Sequence, residues 1–235
     1  MSTPVRRRSL RARLVGYITA GVDRLTAAWR ILTRAQKALL AALARLRPGR
    51  GTTTTIRTAT AAFIQALAAF ERAAAAAAEQ WAARDLPLAY RDGAVSTFDH
   101  LDLPRSLWSW TPSHQAAITG ISAQYYADLM ARAQEAVRRA RAFLRAATDA
   151  ARARLFRTVP VLDPARLEAE HPLGTVIYAN DTRHPVESWA RAALAWQAVN
   201  TANTGAARTA LDDLGIAWME VQDGAGCGWT SHGDP

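Results

Sequence analysis

The sequence has one cysteine, Cys227, and one lysine, Lys37. A single thiol excludes an internal disulfide framework. With lysine almost gone, the basic charge falls to arginine. Arginine alongside abundant alanine is the composition a GC-rich genome produces, so no single arginine marks a phosphate contact by itself. No stretch approaches the roughly 20 apolar residues of a membrane span. The start, Arg6-Arg7-Arg8 followed by the apolar Leu14 to Val22, has a superficial likeness to a signal peptide, but Asp23 and Arg24 interrupt it. A soluble, intracellular product is expected. There is no H-E-x-x-H pair. Gly224, Gly226 and Gly228 lack the following helix that a phosphate loop requires.

What is present is alanine, arginine and helical periodicity. Half of the 235 residues are hydrophobic and the net charge is +9. Alanine favours helix and buries little area per residue, which predicts long packed helices. The positive surplus predicts attraction to polyanions.

Ile18, Val22, Leu25, Trp29, Leu32, Gln36, Leu39, Leu43 and Leu46 step by three and four, a heptad seam in a helix over about 5–47. Pro48-Gly49-Arg50-Gly51 stops it. Ile56, Thr60, Phe63, Leu67, Phe70, Ala74, Ala77 and Trp81 continue the pattern in a second helix, about 54–85. The short turn between them predicts an antiparallel hairpin. Residues 86–113, with Pro87, Gly93, Pro104 and Pro112, read as an ordered loop whose Trp108 and Trp110 plug a helix bundle. The alternative is an exposed aromatic patch. A third long helix follows, about 114–157. Ile118, Ile121, Tyr125, Leu129, Ala133, Ala136, Ala140, Phe143, Ala147 and Leu155 form its buried face. Its second half is basic, and Arg138, Arg139, Arg141, Arg145 and Arg152 are the candidate contacts to DNA or a partner. Their spread over several faces argues against a sequence-reading helix.

After about 170 the texture changes. Thr175 to Tyr178 reads as a short strand, Asn180-Asp181 as a turn, 186–213 as a helix, and Ile216 to Val221 as a second strand. The expected fold is mainly α: a helical hairpin or coiled-coil arm plus a third long helix (1–160), then a small α+β module (170–235).

The module carries a resemblance. Val176-Ile177-Tyr178-Ala179-Asn180-Asp181-Thr182-Arg183-His184 is similar to the V-T-Y-A-D-G-x-x-H opening of actinophage minor capsid proteins, in the MuF-like head-morphogenesis group. The likeness resumes at Asn203-Thr204-Gly205, Leu214-Gly215-Ile216 and Val221-Gln222-Asp223-Gly224. It ends on Cys227-Gly228-Trp229-Thr230-Ser231-His232-Gly233-Asp234-Pro235, its most specific stretch. It covers about a quarter of the chain. Where the family usually has an Arg-Thr pair, this sequence has Ala195 and Trp196. The family continues into an Asp-x-Ala-Asn-Gly-like stretch and a His-Pro-x-Cys, so this chain reads as a piece of a longer one.

The resemblance implies a non-enzymatic virion protein of the capsid interior near the portal, in the host cytoplasm during assembly. Its implied partners are the portal or major capsid protein, with double-stranded DNA a further, nonspecific one. Several copies are expected, and no membrane. Cys227 and His232 are candidate metal ligands. Zinc takes four such groups, so no cofactor is expected in this chain, and zinc only in a longer one. Two other readings stay open: a nonspecific DNA-binding helical protein, and a thiol enzyme using Cys227 and His232.

Overall fold

The computed structural model describes residues 9–46, 52–155, 163–178 and 181–216. It is mainly helical, with one small sheet near its C-terminal end. Helix α1 (Leu10–Ala44) starts where Ser9 accepts from the Ala12 amide at 3.2 Å. Its seam is buried: Val22, Leu25, Trp29, Leu32, Gln36, Leu39 and Leu43 all face inward. Helix α2 (Thr52–Gln80) lies against it, burying Ile56, Phe63, Leu67, Phe70 and Ala74. The expected hairpin is present. Trp29 meets Phe70 edge-on at 4.9 Å, and burying a ring of this size contributes roughly 2 kcal/mol.

The expected loop over 86–113 is largely helix. From α2 the chain runs through a π turn, Trp81–Asp85, into α3 (Leu86–His100). Pro87 would normally break a helix by losing a donor and clashing with the preceding turn. The π turn widens the backbone just before it, with the Leu86 amide bonded to the Trp81 carbonyl five residues back. Gly93 is accounted for by its neighbour. A Cβ there would lie 2.0 Å from the Ala202 carbonyl oxygen, and one on Gly205 would lie 2.3 Å from the Tyr90 carbonyl oxygen. Two backbones touch at this crossing, and only hydrogen fits between them.

Only residues 101–111 leave the helical path, with a single 3-10 turn at Arg105–Leu107. Pro112 then opens α4 (Pro112–Leu155) at its first position, where a missing amide costs nothing. The buried face expected for this helix is found. Ile118, Tyr125, Leu129, Ala133, Ala136, Ala140, Phe143 and Ala147 are in the core.

Asp163 caps the short α5 (Pro164–Glu170), accepting from the Ala165 and Arg166 amides. Strand β1 (Thr175–Ile177) pairs antiparallel with β2 (Arg183–Pro185), Val176 opposite His184. Asp181 in the turn takes φ 60°, the left-handed conformation Asn and Asp tolerate. The expected strand at 216–221 lies almost wholly outside the described residues. Helix α6 (Val186–Arg208) passes through a second π turn, Thr209–Asp213, and stops at Gly215, φ +67°.

Helix α6 packs on α1 and α3. Leu173, Val176, Trp189, Leu194 and Ala198 share one hydrophobic core with Trp29, Phe70 and Phe143. The expected units 1–160 and 170–235 therefore meet in a common core. Gln36, the polar residue of the α1 seam, donates to the His171 carbonyl at 2.6 Å, and Trp81 donates to Gln197 at 2.8 Å. Among the described residues one helix, Thr52–His100, is long and apolar enough to cross a membrane by length and composition. Here it supplies Phe63, Phe70, Trp81 and Tyr90 to the core.

Candidate functional site

The five arginines singled out on α4 divide between two sides of that helix. Arg138, Arg141, Arg145 and Arg152 follow one another at steps of three, four and seven, so they form one stripe. All four are exposed. Arg141 reaches Glu71 of α2 at 3.4 Å, and Arg152 reaches Asp149 at 3.9 Å. Arg138 and Arg145 have no ion-pair partner among the described residues. Exposed pairs of this kind add little to stability, which leaves the guanidinium groups available to another molecule.

Arg139 points the other way. It donates to the Pro172 carbonyl at 2.8 Å and the Thr175 carbonyl at 2.5 Å, and it pairs with Glu135. One turn-pair earlier, Arg132 donates to the Ile177 carbonyl at 3.2 Å and lies over the Tyr178 ring. The forked guanidinium satisfies two carbonyls at once, that of Thr175 and that of Pro172, which the Thr175 hydroxyl also reaches at 3.4 Å. Arg139 is therefore committed within the chain, while the other four candidates share a surface.

That surface is a groove between α2 and α4. One depression, about 430 Å³, is lined by Glu71, Met130, Val137, Arg138 and Arg141. A second, about 560 Å³, is lined by Ile56, Arg57, Thr60, Ile64, Thr148 and Arg152. On α2, Arg57, Thr60, Ile64 and Glu71 recur at helical spacing. On α4, Met130, Val137, Arg141, Thr148 and Arg152 do the same. The two depressions thus lie along the same side of the helix pair. The floor is apolar and the rim basic.

A second cluster was not legible in the sequence. His114 is fully buried, with Nδ1 2.9 Å from the Tyr90 hydroxyl and Nε2 2.7 Å from the Asp213 carboxylate. An ionised carboxylate only accepts, so Nε2 donates to Asp213; in the neutral ring Nδ1 then accepts from the tyrosine. Trp108 and Trp110 close over this pair. Their rings sit 5.0 Å apart, with Trp108 5.7 Å from His114 and Trp110 5.7 Å from Tyr90. Trp108 is partly buried in this way, as the plug reading expects, whereas Trp110 stays 38% exposed, as the aromatic-patch alternative has it. Burial pushes the Tyr90 hydroxyl up to about 12. Outside this cluster Ser113 donates to Asp212, which also pairs with Arg208. The Ser113 hydrogen bond, and then Arg208, hold that carboxyl below the usual range.

Asp–His–Tyr is the order of a proton relay, but no reacting atom can reach an imidazole with no exposed surface. The network fastens the end of α6 to α3 and α4. The three residues lie 24 and 99 positions apart, and in sequence His114 reads as a helix start and Asp212-Asp213 as turn formers. No local spacing joins them.

A second carboxylate, Asp92, accepts from Arg13 and Tyr17, each at 2.9 Å, and so ties α1 to α3. Arg24 pairs with Asp85 nearby, although burial still raises that carboxyl. Cys227 and His232 lie outside the described residues. Among the described residues no group of three His, Cys, Asp or Glu side chains could hold a metal. Of the residues carrying the family resemblance, Val176 and Ile177 form β1, Gly205 makes the close crossing with α3, and Gly215 ends the helix. Trp196, where the family has a threonine, is 61% exposed and edges onto Tyr125 at 5.6 Å.

No protein-family model, no curated protein and no solved structure matches this chain.

Proposed function

We propose that the chain is a structural component of an actinophage head, a minor capsid protein of the MuF-like head-morphogenesis group. Its work is binding rather than bond chemistry, directed at the portal or the major capsid protein from the capsid interior. The observation that carries the reading is the C-terminal resemblance, from Val176 to His184 and again from Cys227 to Pro235. The helical bundle adds support: it offers an exposed groove with basic edges, and the buried Asp92 and His114 tie helices together.

The test is the genome on either side of this gene, followed by the protein content of purified heads. A portal gene immediately upstream, and peptides of this chain in the heads, are the expected results. A gene outside any phage-like cluster overturns the reading.

A second reading, nonspecific binding to double-stranded DNA, is favoured by the stripe Arg138, Arg141, Arg145 and Arg152. It predicts an affinity that falls with salt with a slope near 0.9 per phosphate neutralised. A slope unmoved when these arginines are replaced by alanine removes it.

A further inference from the structure

We infer that the groove between α2 and α4 is a docking site for an acidic amphipathic helix of a partner protein. The groove offers two chemistries in register. Its floor holds Ile64, half-exposed at 51%, and the partly buried Met130 beside Val137. Its edges carry Arg138, Arg141 and Arg152 on α4 and Arg57 on α2, and the exposed Arg145 continues the α4 stripe between them. From the level of Met130 to that of Arg152 the groove runs about 33 Å, at roughly 1.5 Å per residue. An entering helix of about 22 residues would fill it, with apolar residues at heptad spacing on the floor and carboxylates reaching the arginines.

The same features argue against the other occupants. A DNA backbone needs positive charge but gains nothing from Ile64 and Met130, which it would cover without apolar contact. A second copy brings the same surplus, +9, to a surface already basic. The chain's own 217–235 segment has three acids, Glu220, Asp223 and Asp234, among four glycines, a composition that disfavours helix. Glu71 is the one carboxylate facing Arg141 across the groove, at 3.4 Å. An arriving carboxylate competes with it at little cost, because both partners are exposed. The inference stands on the groove and not on the head-assembly reading, and a result in either test leaves the other unaffected.

The experiment uses the full chain and three fluorescent probes, followed by anisotropy. The first is a helical peptide of about 22 residues with a leucine stripe flanked by glutamates. The second has the same charge with every leucine replaced by glutamine. The third is a DNA duplex of about 22 base pairs. The expected result is micromolar binding of the leucine peptide, at least about tenfold tighter than its glutamine counterpart. Ile64→Asp should weaken it by at least about tenfold, and Arg138→Glu with Arg145→Glu should do the same. Because these side chains are exposed, unchanged thermal unfolding confirms that each variant folds.

Equal binding of the two peptides, or no effect of Ile64→Asp, overturns the proposal. So does DNA binding tighter than the peptide's and indifferent to Ile64→Asp, which assigns the surface to phosphates. Peptide binding seen only after removal of 217–235 assigns the groove to that segment. Self-association abolished by Ile64→Asp, without peptide binding, assigns it to a second copy.

Discussion

The two sides of α4 use the same residue for opposite ends. On the inner side, His114, Arg132 and Arg139 share one helical face and spend their hydrogen bonds on Tyr90, Asp213 and the carbonyls of the β1 region. On the outer side, Arg138, Arg141 and Arg152 line an open groove, and Arg145 stands exposed on the same helical stripe. Arg138 and Arg139 are adjacent in sequence, yet one is exposed and the other holds a sheet in place. Position on the helix, rather than residue type, separates folding from recognition. An arginine beside buried carbonyls gains from desolvated, charge-assisted hydrogen bonds, while one in water keeps its hydration and stays available.

The comparison is broken most severely at His114. His114→Ala leaves the buried Tyr90 hydroxyl without its partner, releases the solvent-facing Asp213 carboxylate and opens a cavity. A loss of about 3 kcal/mol is expected in urea unfolding. An unchanged midpoint would mean that the network does not fasten α6.

Arg139→Ala should cost about 2 kcal/mol, because two backbone carbonyls lose a charged donor. Arg139→Lys should recover only part of this, since a point-like ammonium cannot fork between two carbonyls. Full recovery by lysine would show that charge alone matters on the inner face.

The same face predicts an alkaline weakening. The Tyr90 hydroxyl is raised from 10.0 to about 12 in the folded protein. Its contribution is fully present below pH 10 and is lost as pH rises toward 12, where the unfolded chain releases the proton first. About 3 kcal/mol is at stake. Tyr90→Phe should flatten the fall in unfolding free energy between pH 10 and about 12. Tyr17 and Tyr125, also raised chiefly by burial, leave a residual slope. An identical slope in Tyr90→Phe would place the titration elsewhere.

The smallest effect belongs to the outer face. Arg145→Ala should change stability by less than about 0.5 kcal/mol, while reducing affinity for an acidic helix. A stability loss matching that of Arg139→Ala would erase the distinction between the faces.

Much of this fold is legible in the periodicity. The seams of α1, α2 and α4 were readable because steps of three and four place apolar residues on one face whatever surrounds them. Helix α3 was not readable. Pro87 and Gly93 are breakers by local rules, and each is reconciled by something distant or cooperative: a π turn in one case, the backbone of Ala202 in the other. The site divides in the same way. The basic half of α4 was visible in the sequence, but the groove was not, since Ile64 and Glu71 belong to another helix. The Tyr90–His114–Asp213 network left no local trace, because its members come from three elements.

The sequence by itself determined that this protein is built of long helices and that its charge is arginine. Helix propensity and a three-to-four repeat are local properties, carried by each segment before it meets another. Which arginines are fastened and which are offered depends on how the helices pack. Burial, carbonyl neighbours and the opening between two helices exist only once the segments have packed.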